Sequence, residues 1–241
     1  MSRILTLDIE TSPHDAWSFN VWKTNILPIH IKEPTRILTL AAKFHGERKV
    51  SFGPCYDEDF LLPLRDLLDA SNMVVSYNGD KFDMPHINRE FLEAGIPPSR
   101  PVASVDLLKV VRKRFNFPHN RLDYVASRVL GERKLETGGF ELWPAFMDGC
   151  PKAQRVMKRY NIGDVRLTER LYDKLRPWVL NHPYTGDVSI DMGDANTVYP
   201  CPACDSIHTT KERPRRTRCY AIRLVHCTSC GVWSDGVRRK I

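Results

Sequence analysis

Apolar and polar residues alternate along the first stretch of the chain, which is typical of a β-strand with two different faces. Residues 3–10 fit a strand whose odd-numbered side chains point to an apolar face and whose even-numbered side chains point to the other. Residues 35–44 form a nearly continuous apolar run, which indicates a buried strand. Residues 15–22 and 49–52 are predicted as two further, shorter strands.

The pattern then changes to helical spacing. In residues 57–70, leucine and phenylalanine recur at helical spacing. Gly95 marks the end of the helical segment 84–94. The predicted elements are a helix over 57–70, a strand over 73–77, a helix over 84–94, a strand over 102–105 and mainly helix up to residue 178. This order favours an α/β or α+β fold with one dominant sheet.

Two carboxylates lie at the carboxyl end of the first predicted strand. Asp8 and Glu10 are two residues apart, so they share one face. Neighbouring carboxylates repel each other and resist desolvation unless a cation neutralises them. A solvated strand end is the alternative interpretation of this pair.

A second acidic group follows the strand predicted over 73–77. Residues 78–83, Asn-Gly-Asp-Lys-Phe-Asp, open a helix just after that strand, where binding residues often lie in α/β folds. Asp83 is therefore a candidate catalytic residue. The alternative is an N-cap on the helix, with Pro85 in its first turn.

A third acid lies on the long helix predicted over 151–175. Its apolar stripe is predicted through Val156, Tyr160, Gly163 and the leucines that follow, and Asp164 falls on that stripe. An acid on the core side of a helix is costly unless it is paired or binds a metal. A buried hydrogen bond to a tyrosine is the alternative.

The three acidic motifs together resemble those of the DEDD, or DnaQ-like, 3′–5′ exonucleases. The motifs are Asp-x-Glu at 8–10, Asn-x3-Phe-Asp at 78–83 and Tyr-x3-Asp at 160–164, in the order of that superfamily. Residues 121–131 also resemble the segment before the third motif in proofreading domains of B-family DNA polymerases. Tyr160, four residues before the last acid, is typical of the tyrosine subtype. The resemblance covers about residues 1–178 and implies an RNase H-like fold, which is an α/β fold with a mixed sheet flanked by helices.

The resemblance also implies a mechanism and roles for the residues. Two divalent cations, Mg²⁺ or Mn²⁺, would be held by four acids, with Asp8 bridging both ions and Glu10 and Asp164 completing the first site. Asp83 would support the second ion through water. Tyr160 would orient the attacking water rather than act as a strong base, because its ordinary pKa of about 10 keeps the hydroxyl protonated near neutral pH.

Other residues near the motifs have less specific expectations. Thr11 and Asn78 are candidate contacts for the nucleic acid, and Phe82 is predicted to belong to the core. Asp80, His86 and Asp106 are left open as supporting groups.

Five of the seven cysteines are concentrated near the C-terminus, whereas Cys55 and Cys150 are isolated. Two Cys-x-x-Cys pairs are separated by twenty-two residues, a spacing that indicates a tetrahedral structural Zn²⁺ site in a zinc ribbon. The predicted ligands are Cys201, Cys204, Cys227 and Cys230. A redox dithiol or a metal cluster is the alternative. Cys219 is not expected to be a ligand, four cysteines leave no need for His208 or His226, and Gly231 fits the tight turn after the second pair.

The net charge of +7 is concentrated in the last 45 residues. That part carries nine Lys and Arg against three acids, a net +6, which suggests a polyanionic partner. The candidate nucleic-acid contacts in the basic run are Lys211, Arg213, Arg215, Arg216 and Arg218. Tyr220 and Trp233 offer rings for stacking bases. A merely solvated basic tail, with these aromatics packed on the ribbon, is the alternative.

The chain is predicted to contain an exonuclease domain over 1–180, a polar linker over 181–196 and a zinc ribbon over 197–241. No stretch of eighteen apolar residues occurs, so no membrane span is expected. The expected protein is soluble and cytoplasmic, in a bacterium or a phage-infected host. It resembles standalone phage-encoded or accessory DNA-processing exonucleases.

The leading hypothesis is a 3′–5′ exonuclease that acts on DNA, with the ribbon aiding binding. The alternatives are an RNA or structure-selective nuclease of the same fold, and a non-catalytic adaptor that binds nucleic acid or a replication or repair protein. No residue in the sequence distinguishes DNA from RNA, since that depends on how the 2′-hydroxyl is treated.

Overall fold

The structure is a computed structural model that describes residues 3–19, 22, 24–180, 182–183, 200–216 and 220–240. The side chains of 212–216, 220–221 and 237–240 are outside this description. The linker predicted over 181–196 lies almost wholly outside the described residues, as do Arg218 and Cys219.

A five-stranded mixed sheet forms the centre of the first 180 residues. Its strand order is β5-β4-β1-β6-β7. The strands are β1 (Ile4–Thr11), β4 (Ile37–Phe44), β5 (Ser51–Pro54), β6 (Met73–Ser76) and β7 (Ala103–Asp106), and a small separate pair consists of β2 (Asp15–Ala16) and β3 (Ile31–Glu33). β1 runs antiparallel to β4 and parallel to β6. The parallel pairing carries the residues after β6 to the same end of the sheet as the carboxyl end of β1.

Helices cover both faces of this sheet. They are α1 (Leu61–Asp69), α2 (Asp83–Glu93), α3 (Leu107–Arg114), α4 (Leu122–Leu130), α5 (Leu142–Met147) and α6 (Pro151–Leu175). The predicted alternation along β1 is confirmed. Leu5, Leu7 and Ile9 are buried in one cluster with residues of α1 and α2, whereas Ile4 packs on the opposite face with residues of α3, α4 and α6. The result is a mixed sheet between two helical layers, as predicted.

Several predicted elements were wrong in extent. The strand predicted over 15–22 is short, because β2 ends at Ala16 and pairs with β3 in the separate two-stranded sheet, while Trp17 and Trp22 are exposed. The first helix begins at Leu61 rather than 57, because turns precede it. The strand predicted over 49–52 lies two residues later, where residues 51–54 pair with β4.

The C-terminal segment forms a three-stranded antiparallel sheet of order β10-β9-β8. Its strands are β8 (Thr209–Arg216), β9 (Tyr220–Cys227) and β10 (Trp233–Lys240). Its buried cluster is small and consists mainly of two cysteines with Ala203 and Val232. The sheet packs near the end of α6, where a side chain at Gly231 would lie only 3.0 Å from the Pro177 ring. Gly231 has a φ of +73°, as its predicted turn requires.

Candidate functional site

Three carboxylates from β1 and α6 meet beside the centre of the main sheet. One oxygen from each of Asp8, Glu10 and Asp164 lies within 4.8 Å of the others. Asp164 is 1% exposed, and Asp8 and Glu10 are half-buried. β1 carries the first two on the face that α6 covers, so residues more than 150 positions apart become neighbours.

Asp83 lies next to this group, at the start of α2. Its Oδ1 accepts a hydrogen bond from the backbone N–H of Ile9 at 3.0 Å, and the residue is 3% exposed. The N-cap interpretation was therefore wrong, because Phe82 is the cap residue and the Asp83 carboxylate points to β1. Gly79 makes room here: a side chain at that position would collide with Ser76 and lie 3.3 Å from Asp83 Oδ2.

Lys134 is the cation of the site, and the sequence did not single it out. Its Nζ lies 2.5 Å from Asp164 Oδ2 and 3.1 Å from the hydroxyl of Tyr160. It comes from the connection between α4 and α5, far from Asp164 along the chain. The sequence interpretation of Asp164 did not include this partner from outside the helix.

Asn161 is the second residue that the sequence did not reveal. Its Nδ2 donates to Asp8 Oδ2 at 2.7 Å and to the Asp8 carbonyl at 3.1 Å, while its Oδ1 accepts from Thr39 at 3.2 Å. The buried stripe of α6 runs through Met157, Asn161 and Asp164, displaced from the predicted one. An asparagine that falls on this stripe was the available signal, because a fully buried amide needs partners.

The electrostatics of the cluster oppose full ionisation. Burial, followed by repulsion from Asp83, Asp164 and Glu10, raises the pKa of Asp8 well above its ordinary value. Burial likewise raises the pKa of Glu10 to about 8, although the Lys134 charge opposes it, and that of Asp83 to about 7. The charge of Asp164 is the largest cause that raises the pKa of Lys134.

The donor set fits hard divalent cations. Carboxylate oxygens are the ligands preferred by such ions, and a bound cation would remove the repulsion that raises these pKa values. Asp8, Glu10 and Asp164 offer the converging oxygens, with Asp83 beside them.

The four predicted cysteines also converge. Their sulfur atoms all lie within 4.8 Å of one another, with 3.5 Å between Cys201 and Cys230 and 3.7 Å between Cys204 and Cys227. A tetrahedral ion with ligands at about 2.3 Å requires sulfur separations of about 3.8 Å, so the spacing fits such an ion. Neither His208 nor His226 belongs to the group among the described residues.

Comparison with known proteins places this fold in a family. A profile of the RNase H superfamily matches residues 5–176. The chain belongs to the RNase H superfamily. This superfamily fold supports a nuclease function, and its nucleases use divalent metals.

Individual relatives are DNA polymerases. Over 74 residues, 31% of this chain and 6% of the relative, the sequence is 34% identical to the DNA polymerase catalytic subunit of equine herpesvirus 1, strains Ab4p and V592. The family B DNA polymerase of the archaeon Pyrobaculum calidifontis shares the fold. The TM-score is 0.55 and the identity 23%, over 73% of this chain and 25% of that one. The chain therefore matches only a small part of each polymerase.

The remaining predicted residues are placed as follows. Thr11 ends β1, after a bulge in its pairing with β4, and Asn78 has a φ of +74° in the turn after β6. Phe82 was wrongly predicted as core, since it is 37% exposed and contacts the His86 ring. Lys211 is exposed on β8. The backbones of Arg213, Arg215 and Arg216 also lie on β8.

The open supporting groups have structural partners. Asp106 accepts from the Asn78 N–H at 2.8 Å and caps α3 through Leu108, so it holds the turn that precedes Asp83. Asp80 pairs with Lys109 at 2.5 Å. His86 bonds the Phe82 carbonyl at 2.8 Å. None of these three belongs to the converging carboxylate group found among the described residues.

Proposed function

We propose that the chain is a metal-dependent 3′–5′ exonuclease of the tyrosine DEDD subtype that hydrolyses DNA from its 3′ ends. The observation that carries this proposal is the convergence of Asp8, Glu10 and Asp164 within 4.8 Å, with Asp83 hydrogen-bonded to the strand between the first two. Four acids so close are costly without a cation, and nuclease chemistry explains why they are there.

The chain's own residues would hold two Mg²⁺ or Mn²⁺ ions. Asp8 is central, since Asn161 fixes one of its oxygens and the other acids surround it. Glu10 and Asp164 would complete one ion's ligands, and Asp83 would support the second through water. When bound, two such ions stabilise the charge on the attacking and leaving oxygens of a phosphodiester.

Tyr160 would position the attacking water. Burial and the charge of Asp164 raise the pKa of Tyr160 to about 12, so its hydroxyl stays protonated near neutral pH. A neutral hydroxyl can donate and accept hydrogen bonds but is a poor base. Lys134, which contacts this hydroxyl, would place positive charge beside the phosphate under attack.

A basic groove beside the cluster supports a polyanionic substrate. It has a volume of about 510 Å³, and its lining includes Arg133, Lys134, Arg159 and Arg170. Arg170 is already paired with Glu132, whereas the groove as a whole carries more positive than negative side chains. The preference for DNA over RNA is supported by the relatives, which are DNA polymerases.

The cysteine cluster would hold one structural Zn²⁺. Four cysteine sulfurs in tetrahedral spacing are the donor set that Zn²⁺ prefers. The contact with Cys230 raises the pKa of the Cys201 thiol well above its ordinary value. The hydrogen bond with Cys201 is the first cause that lowers the pKa of Cys230, to about 4. We place the nuclease domain at 1–180, the linker at 181–196 and the ribbon at 197–241. The basic ribbon would aid nucleic-acid binding, including through the run 211–218, and could also dock a replication or repair protein.

The test is cleavage of 5′-labelled single-stranded DNA and of matching RNA with added Mg²⁺, Mn²⁺ or chelator. The wild type should shorten DNA from its 3′ end only with metal. Asp8→Ala should lose at least about 10³-fold in rate, roughly 4 kcal/mol of transition-state stabilisation. Asp15→Ala is the matched control, because Asp15 is exposed on β2, and should retain full activity.

The outcomes separate the candidate functions. Faster cleavage of RNA would overturn the DNA preference while keeping the nuclease. Binding of DNA or RNA without cleavage, with every metal tested, would overturn the exonuclease proposal and favour a non-catalytic adaptor. Cleavage that survives Asp8→Ala would show that the active site lies elsewhere.

A further inference from the structure

A cleft lies between the first 180 residues and the C-terminal ribbon, near the end of α6. Its volume is about 440 Å³, and its lining includes Arg114, Trp178 and Leu180 from the first half and Leu224, Trp233 and Asp235 from the ribbon. Both halves are needed to form it. The proposed nuclease chemistry does not use any of these residues.

Two indole rings face solvent in this cleft, and each is braced from one side. Trp178 is 53% exposed and packs edge-on against Phe115, with ring centroids 5.2 Å apart. Trp233 is 36% exposed and stacks on His226 at 4.5 Å. Fixed aromatic faces of this kind suit a planar, unsaturated ring, because little freedom is lost when that ring stacks.

The polar groups of the cleft fit a nucleotide better than a plain aromatic compound. Arg114 Nε donates to the Trp178 carbonyl at 3.3 Å, which holds the guanidinium at the rim. Arg114 is the last residue of α3 and is the basic side chain that lines the cleft. Guanidinium groups bind phosphate, whereas a carboxylate such as Asp235 accepts from the amino groups of bases.

The cleft lies close enough to the acidic cluster for a single nucleic-acid strand to contact both. From Asp164 to Trp178 the chain rises along α6 and a final 3-10 turn, which together span about 20 Å. A strand stacked at about 3.4 Å per nucleotide covers this distance in about six nucleotides.

We propose that this cleft is a second nucleic-acid site, which holds one unpaired base of a single strand about six nucleotides from the 3′ end. The base lies against Trp178 and Trp233, and Arg114 contacts a neighbouring phosphate. The inference rests on the proposed function for its choice of ligand. It assigns the ribbon a defined role, namely to complete a base-binding cleft with the nuclease half.

The test is binding of labelled oligothymidylates of 4 and 12 nucleotides, measured by fluorescence anisotropy in an Asp8→Ala background that prevents degradation. The 12-mer should bind more tightly than the 4-mer. Trp178→Ala and Trp233→Ala should each weaken the 12-mer about tenfold and leave the 4-mer unchanged. Trp22→Ala is the matched control, since Trp22 is 86% exposed and lies outside the cleft, and it should change neither.

Two further variants guard against loss of folding. Trp178→Phe keeps a ring and should retain most of the affinity for the 12-mer. Arg114→Gln should weaken the 12-mer and reduce the salt dependence of its binding, because a phosphate contact is lost. Equal losses for the 4-mer and the 12-mer would overturn the proposal, since they would indicate a general defect.

An abasic substitution locates the base. One nucleotide around position six from the 3′ end is made abasic. The protein that keeps Trp178 should then bind this strand only as tightly as Trp178→Ala binds the intact strand. The variant itself should lose nothing more, because the two changes remove the same contact. Additive losses would overturn the proposal. Because cleavage is not the readout, failure of the nuclease proposal and failure of this one remain distinguishable.

Discussion

The acidic cluster and the cysteine cluster are both candidate metal sites, yet their surroundings differ. The acids lie on a scaffold that is complete by itself: β1 is buried on both faces, and α6 has ten buried residues. The cysteines lie in turns and at a strand end beside a small sheet, and the buried cluster there consists of Cys201, Ala203, Cys227 and Val232. We therefore expect the first site to keep its fold without a metal, whereas the second should depend on a bound metal for folding.

The largest effect should come from removal of a zinc ligand. Cys227→Ser should abolish metal binding by the ribbon and unfold it, while residues 1–180 keep their structure. Limited proteolysis with measurement of bound zinc checks this, because an unfolded ribbon is cleaved first. Cys150→Ser is the control, since Cys150 is exposed, and should change neither. A ribbon that stays protected without zinc would break the comparison.

At the acidic cluster, removal of a candidate ligand is expected to raise the stability of the metal-free protein rather than lower it. Asp8→Asn removes a charge whose pKa is raised by burial and by three neighbouring acids. We expect the Mg²⁺-free protein to gain stability, seen as a rise in Tm of about a few degrees, although activity is lost. Thermal denaturation with zinc retained measures this. The exposed Asp15→Asn should have no such effect, and a lower Tm for Asp8→Asn would contradict the expected repulsion.

The pH dependence sharpens the same point. Glu10 has a folded-state pKa of about 8, raised from 4.5, so the folded protein holds a proton that the unfolded chain has lost between those values. Stability of the Mg²⁺-free protein should therefore fall as pH rises from 5 to 8. Glu10→Gln should be stabilising at pH 8 and nearly neutral at pH 5. Added Mg²⁺ should bind more tightly as pH rises, because protons compete for the carboxylates. A pH-independent effect of the substitution would contradict this.

The smallest effect is expected from Asn161→Ala. The change leaves Asp8 and Thr39 without the amide that now bonds both, at a cost of about 1 kcal/mol. Activity should fall about tenfold through loss of orientation, with Asp8 still present. Asn72→Ala is the matched control, because Asn72 bonds the exposed Arg3 backbone N–H. Unchanged activity in Asn161→Ala would show that Asp8 needs no such support.

Local patterns in the sequence predicted most of the elements but not their partners. The alternation in β1, the strand before residue 78 and the helix around Asp164 were predicted correctly, because each depends on neighbouring residues. The extent of residues 15–22 and the burial of Phe82 were wrong. In both cases exposure depends on what packs against the segment, which local pattern does not reveal.

No helix within the described part of the chain is long and apolar enough to cross a membrane. The predicted cytoplasmic location and the predicted bacterial or phage origin stay predictions.

By itself, the sequence determined the order of the acids, the tyrosine one turn before Asp164 and the two cysteine pairs. Each is a pattern of residue types at short spacing. Only the tertiary structure decided that Lys134 neutralises Asp164, that Asn161 holds Asp8 and that Trp178 and Trp233 line one cleft. Those contacts join residues tens to over a hundred positions apart. They are fixed by strand order and by the packing of α6 on the sheet, which no short segment encodes.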